Sequence, residues 1–168
     1  WFNNDAFWWN EEATDWAYST PFWPEWHPKY SPVFRYAQYI IDGVNHWMTG
    51  FIDWNIALDS IGGPTHVHNY CGAQVMVDYT DNIVYFTPYH YAFRHFSRSM
   101  RPGDTVLTVE QSECSSPVHL CAVSKQDGSY AVNILNMGEA REVSLQLGAY
   151  HTSLLLPAHA IETITVKL

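Results

Sequence analysis

Ser31-Pro-Val-Phe-Arg-Tyr-Ala-Gln-Tyr-Ile-Ile-Asp-Gly-Val-Asn-His-Trp-Met48, running on through Thr49-Gly-Phe-Ile-Asp-Trp-Asn55, is the stretch from which the fold is read. Ser31 can cap a helix. Pro32 suits a first helical position, where its missing N–H would have had no partner. Val33, Tyr36, Ala37, Ile40, Ile41, Val44, Trp47 and Met48 then recur at three- and four-residue spacing, which predicts an amphipathic helix over 31–48. After Gly50, the apolar run Phe51–Asn55 is too short for a helix and predicts a buried strand. A helix feeding directly into such a strand is the αβ step of an α/β layer or barrel. Functional groups in parallel α/β structures gather at the C-terminal ends of strands, so Asp53, Trp54 and Asn55 become candidates.

Downstream, Gly62-Gly63-Pro64 and the polar Thr65–Asn69 predict a long loop. Gln74–Asp78 and Ile83–Phe86 read as a hairpin around Thr80-Asp-Asn82, and Tyr89–Ser99 as a helix with Tyr89, Ala92, Phe93 and Phe96 on one side. From Thr105 the period changes to two. Thr105–Glu110, Val118–Ser124, Tyr130–Asn136, Val143–Leu147, Thr152–Leu156 and Ile161–Lys167 are the expected strands, with Gln126-Asp-Gly-Ser129 as a tight turn. Six short antiparallel strands predict a small β-sandwich or a sheet capping the first region. The expected division is therefore 1–102 and 103–168.

Upstream the composition is unusual. All eight tryptophans fall within the first 54 of the 168 residues. Pro21, Pro24 and Pro28 predict an irregular loop over 20–30, with a short helix over about 10–18. Trp1 follows no Met and no signal-like stretch, so the chain is expected to be cut from a longer one. Eight basic against 17 acidic residues give a net charge of −9, which argues against a nucleic-acid partner. A hydrophobic content of 47% excludes a disordered chain, and no apolar run is long enough for a membrane-spanning helix.

The side chains that could do chemistry were weighed by type. Glu11 and Glu12 are adjacent, so on a helix they diverge by about 100° and read as a solvated face. Asp53 either reacts or orients its neighbours. His66 and His68 alternate on a loop but lack the further ligands that a metal site needs. No Gly-x-Ser-x-Gly elbow or phosphate-binding glycine loop occurs, and no cofactor is expected. Cys114 and Cys121 could staple a hairpin in an oxidising compartment, or all three cysteines, Cys71 included, could be free thiols. Trp54 with Asp53, Asn55, Asn69 and Tyr70 suits a sugar, whose C–H faces stack on aromatic rings while its hydroxyls seek polar groups. The plainer reading makes Trp54 a core residue.

Tyr36–Asn55, followed by Asp59-Ser-Ile-Gly-Gly-Pro-Thr-His-Val-His-Asn69, resembles the last barrel segment of glycoside hydrolase family 30, most closely its glucosylceramidase-like members. Val75-Met-Val-Asp78, Tyr85-Phe-Thr-Pro-Tyr-His-Tyr91, His95-Phe-Ser97 and Arg101-Pro-Gly103 are similar too. So are Asp127-Gly-Ser129 and Asn133-Ile-Leu-Asn136, which match the family's β-domain. The resemblance is specific over 31–138 and weaker over 1–30 and 139–168.

It implies an α/β plus all-β chain: the last segment of a (β/α)8 TIM barrel followed by an antiparallel β-sandwich. It further implies a retaining β-glycosidase with two catalytic glutamates about 5–5.5 Å apart. Both are expected upstream of Trp1, leaving no catalytic residue here and an inactive fragment. By the same resemblance Trp54 stacks on the sugar, Asn69 and Tyr70 line the glucose pocket, and Asp53 stands beside them as a substrate-binding candidate. The implied substrate is glucosylceramide or a related β-glucoside, in a secreted or lysosomal enzyme whose aromatic loops could touch a membrane surface. The alternatives are a non-catalytic carbohydrate-binding module, and a family 30 enzyme acting on β-1,6-glucan or xylan.

Overall fold

Helix α1 (Ser31–Asn45) buries Val33, Tyr36, Ala37, Ile40, Ile41 and Val44, the stripe that the spacing predicts. The structure is a computed structural model that describes residues 31–64, 66, 72–112 and 118–167, with the side chains of Ser31 and Pro32 outside the description. The expected helix at 10–18 and the loop at 20–30 also lie outside it. Helix α1 ends three residues earlier than its apolar spacing suggests. Trp47 takes φ 65° and the Met48 N–H reaches back to the Gly43 carbonyl at 2.9 Å, closing the helix with a left-handed turn. Trp47 and Met48 continue the periodicity but not the helix.

The chain divides into two compact units. One holds the chain up to Tyr36 with Phe51–Phe93, and the other holds Ala37–Gly50 with Arg94–Leu168. In the first, β1 (Ala57–Asp59) runs parallel to β2 (Val75–Asp78), which pairs antiparallel with β3 (Ile83–Phe86). Thr87 closes this sheet: its buried hydroxyl donates to the Ala73 carbonyl at 2.7 Å and its N–H to the Gln74 carbonyl at 3.0 Å. Helix α2 (Pro88–Ser99) follows and contributes Tyr89 and Ala92 to this unit's core.

The expected strand at Phe51–Asn55 is a correction. No ladder forms there, and the first described strand begins at Ala57, so Asp53, Trp54 and Asn55 precede a strand instead of ending one. A strand is defined by its neighbours, and among the described residues none lies alongside 51–55.

In the second unit, β4 (Thr105–Leu107), β5 (Val118–Ser124), β6 (Tyr130–Asn136) and β9 (Ala160–Val166) form one antiparallel sheet in the order β4-β5-β6-β9. The hairpin of β7 (Arg141–Leu147) and β8 (Tyr150–Leu156) forms a second sheet. Gly128 supplies the positive φ at the predicted Asp-Gly turn. Ser129 donates its N–H and its hydroxyl to Asp127 Oδ1, which holds that carboxyl below its ordinary value. Cys121 is a free, fully buried thiol on β5 and not half of a staple; its inward-facing side chain packs into the sheet's core beside Asn133. Cys114 is outside the described residues.

Two sets of hydrogen bonds tie helices to this sheet. Asn45 Nδ2 donates to the Leu120 carbonyl at 2.9 Å from the end of α1. Deeper in, Asn133 Nδ2 donates to Ser99 Oγ at 2.8 Å, and Asn133 Oδ1 accepts from Thr163 Oγ1 at 2.7 Å. The sheet core is built from Cys121, Val123, Ala131, Ile134 and Leu135.

Candidate functional site

Residues 51–56 keep a strict two-residue alternation even without a ladder. Phe51, Asp53 and Asn55 are half-buried, whereas Ile52, Trp54 and Ile56 are 93, 62 and 77% exposed. The chain bends at Trp54 and again at Ile56, leaving the Trp54 indole at the surface and Asp53 half-buried.

Ring packing holds the start of the segment, and at its far end the Val75 N–H donates to the Ile56 carbonyl at 3.0 Å. Phe51 packs edge-on against Tyr36 of α1, with ring centroids 5.4 Å apart, and tilts against Phe93 of α2 at 5.5 Å. Tyr36 also meets Tyr89 at 5.7 Å and Phe93 at 5.1 Å. Each such pair contributes about 0.5–1.5 kcal/mol beyond the area that it buries.

Asp53 brings a carboxylate into this aromatic layer. Its charge lies near the Tyr36 hydroxyl, and its Oδ1 is buried with no hydrogen-bond donor among the described residues. Burial first, then the nearby Asp53, raise the Tyr36 hydroxyl far above the ordinary tyrosine range; burial and then Asp53's charge do the same to Tyr89, so both hydroxyls keep their protons.

The loop after β1 is built around a second aspartate. Asp59 Oδ1 accepts from the N–H of Ile61 at 3.1 Å and of Gly63 at 2.6 Å, and the Asp59 N–H donates to the Gly63 carbonyl at 2.7 Å. This explains the Gly-Gly-Pro signature locally. Gly62 stands at φ +86°, and a Cβ on Gly63 would come within 3.0 Å of Asp59 Oδ2. The loop leads on towards Asn69 and Tyr70.

Of the residues singled out in the sequence, Trp54 and Asp53 are described, the first exposed and the second half-buried. Asn69 and Tyr70 lie outside the described residues, as do Glu11, Glu12, His68 and Cys71; His66 is exposed. Among the described residues no cluster of His, Cys, Asp or Glu is suited to a metal ion. Sequence reasoning missed the aromatic layer of Tyr36, Phe51, Tyr89 and Phe93, which it counted only as apolar positions on separate elements.

Comparison with known proteins adds to this geometry. The sequence profile of the glycosyl hydrolase family 30 TIM-barrel domain matches residues 24–100, and that of the family's beta sandwich domain matches 105–164. A Caenorhabditis elegans protein, whose name places it among the glucosylceramidases, is 32% identical over 78% of this chain and 26% of its own. The mouse lysosomal acid glucosylceramidase is 33% identical over 61% of this chain and 20% of its own. The chain thus spans about a quarter or less of the curated relatives it matches. The crystal structure of SrfJ from Salmonella typhimurium superposes with a TM-score of 0.72 at 23% identity, covering 85% of this chain and 33% of that one.

Proposed function

The chain belongs to glycosyl hydrolase family 30, and from that premise we propose that it forms the sugar-stacking side of a retaining β-glycosidase acting on glucosylceramide or a related β-glucoside. The observation that carries this reading is Trp54, an indole left 62% exposed three residues after Phe51, which is anchored among aromatic rings. A ring held at the surface by its neighbours offers an apolar plane for the C–H face of a pyranose, and Asn69 and Tyr70 supply polar contacts from the loop beyond Asp59. In this reading the two glutamates that break the bond stand outside these 168 residues, so the residues here bind and orient the sugar and the chain by itself is inactive.

The names of the curated relatives support a glucosylceramide-type substrate, and that of the mouse relative supports a lysosomal setting. No helix of the described residues is long and apolar enough to cross a membrane, and contact with the lipid surface is assigned here to the aromatic-rich residues 1–26. The boundary between the two functional domains is placed at 102/103.

The test is kinetic. In the full-length polypeptide, Trp54→Ala is expected to raise KM for a β-glucoside about 10-fold, the scale of a lost stacking contact. An unchanged KM would remove Trp54 from the site. Activity on β-1,6-glucan or xylan without activity on glucosylceramide vesicles would reassign the substrate.

A further inference from the structure

Helix α2 is held in two ways along one unbroken length. Near its middle, Phe93 tilts against Tyr36 and Phe51 with ring centroids 5.1 and 5.5 Å apart, and Tyr89, one turn earlier, meets Tyr36 at 5.7 Å. Ring contacts of this kind tolerate small slides and rotations. The turn that follows is held by a directed chain of hydrogen bonds. His95 Nδ1 lies 2.9 Å from Thr163 Oγ1 of β9, Thr163 Oγ1 donates to Asn133 Oδ1 of β6 at 2.7 Å, and Asn133 Nδ2 donates to Ser99 Oγ at 2.8 Å. We propose that His95, Ser99, Asn133 and Thr163 are positioning residues for sugar binding: the chain fixes the rotation and axial register of α2 and with it the seat of Phe51, three residues before Trp54. This rests on the assignment of Trp54 to the sugar site.

The chain leaves α2 at His95 and returns to it at Ser99, one turn on, so both ends grip the same face of the helix. A slip of one residue would move that face by about 1.5 Å and 100° and break both grips. Asn133 is fully buried and Ser99 nearly so, and both are hydrogen-bonded. An apolar pair would fill such a space without desolvating polar groups, so the polar pair is best explained by the register that it fixes. Lys125 Nζ adds a further tie at the end of the helix, donating to the Ser99 carbonyl at 3.0 Å. Phe93 and His95 stand two residues apart on α2, a rise of about 3 Å, which is too short a span of helix to absorb a rotation between ring packing and hydrogen bonds.

The experiment is a double-mutant cycle in the full-length polypeptide, reading kcat and KM on a soluble β-glucoside. Thr163→Val keeps the shape of the side chain and removes the hydroxyl that links His95 to Asn133. It is expected to raise KM about 4-fold with kcat changed less than about 2-fold, and Thr163→Ser, which restores the hydroxyl, should bring KM back to the parent value. Combined with Trp54→Ala, Thr163→Val should add nothing further, because the residue that the chain positions is gone. An unchanged KM in Thr163→Val beside a lowered urea midpoint would make the chain purely structural and overturn the proposal. A full additive loss on top of Trp54→Ala, or no recovery in Thr163→Ser, would overturn it too. If Trp54→Ala alone leaves KM unchanged, the site assignment fails first and this inference falls with it. Should Thr163→Val not fold, Ser99→Ala enters the same cycle, judged by the same dependence on Trp54.

Discussion

His95 Nδ1 lies 2.9 Å from Thr163 Oγ1, and what lies beyond Thr163 decides which way that bond runs. Thr163 gives its single hydroxyl hydrogen to Asn133 Oδ1 at 2.7 Å, so it can only accept from His95. The neutral imidazole therefore carries its proton on Nδ1, and acid adds the second proton at Nε2.

A pH dependence follows. Burial, and secondarily the charge of Arg94, hold the His95 pKa below its ordinary value in the folded chain. As pH falls through about 6.5, the unfolded chain takes up this proton first, so stability falls with pH below that point and is unaffected above it. Urea midpoints measured at pH 7.5 and pH 5.0 should show this loss, and His95→Gln should reduce it. Equal losses in both proteins would show that another group is responsible.

Asn133 is fully buried and serves two hydroxyls at once, Ser99 Oγ and Thr163 Oγ1. Asn133→Leu matches it roughly in volume but strands both hydroxyls. A loss of about 2–4 kcal/mol is expected. Denaturant unfolding measures it, and a stability within about 0.5 kcal/mol of the parent would mean that the hydroxyls find other partners.

Asp59 is expected to matter through its loop. Asp59→Ala removes the acceptor of two backbone N–H groups and should cost about 1–2 kcal/mol. Asp59→Asn retains Oδ1 and should cost less. In the full-length polypeptide Asp59→Ala should also raise KM for a β-glucoside, and a change in stability without a change in KM would separate this loop from the sugar site.

Burial pushes the Cys121 thiol up to about 12, so in the native chain it stays protonated and shielded. Alkylation near pH 8 followed by peptide mass analysis should leave Cys121 unmodified until denaturant is added. Rapid native labelling would contradict its buried position.

Much of this architecture was legible because short-range pattern and long-range burial agreed. The period-two strands of β5 and β6 fall at the residues expected from alternation, and the Asp-Gly turn sits where its φ requirement puts it. Helix α1 was overextended because Met48 folds back against Gly43, completing the apolar stripe from outside the helix. Phe51–Asn55 reads as a strand for a sound local reason, an apolar run too short for a helix, but strand status depends on neighbours that no local pattern reveals. The packing of Tyr36 against Phe51 was hidden for a similar reason: they stand 15 positions apart in sequence, and only the packing of α1 brings their rings together. Trp54 is singled out by its chemistry, polar neighbours suited to a sugar on an apolar run, and its role in sugar binding is the proposal that Trp54→Ala tests.

Strand β3 leaves a further mark on how these residues behave in bulk. It pairs on one side with β2 and, among the described residues, with nothing on the other, while Ile83, Val84 and Phe86 stand exposed and no charged side chain interrupts Ile83–Phe86. An uncharged apolar edge accepts another strand as readily as a native one. These 168 residues produced alone should therefore aggregate with an order in concentration above one, and a lysine placed at Val84 should keep them in solution.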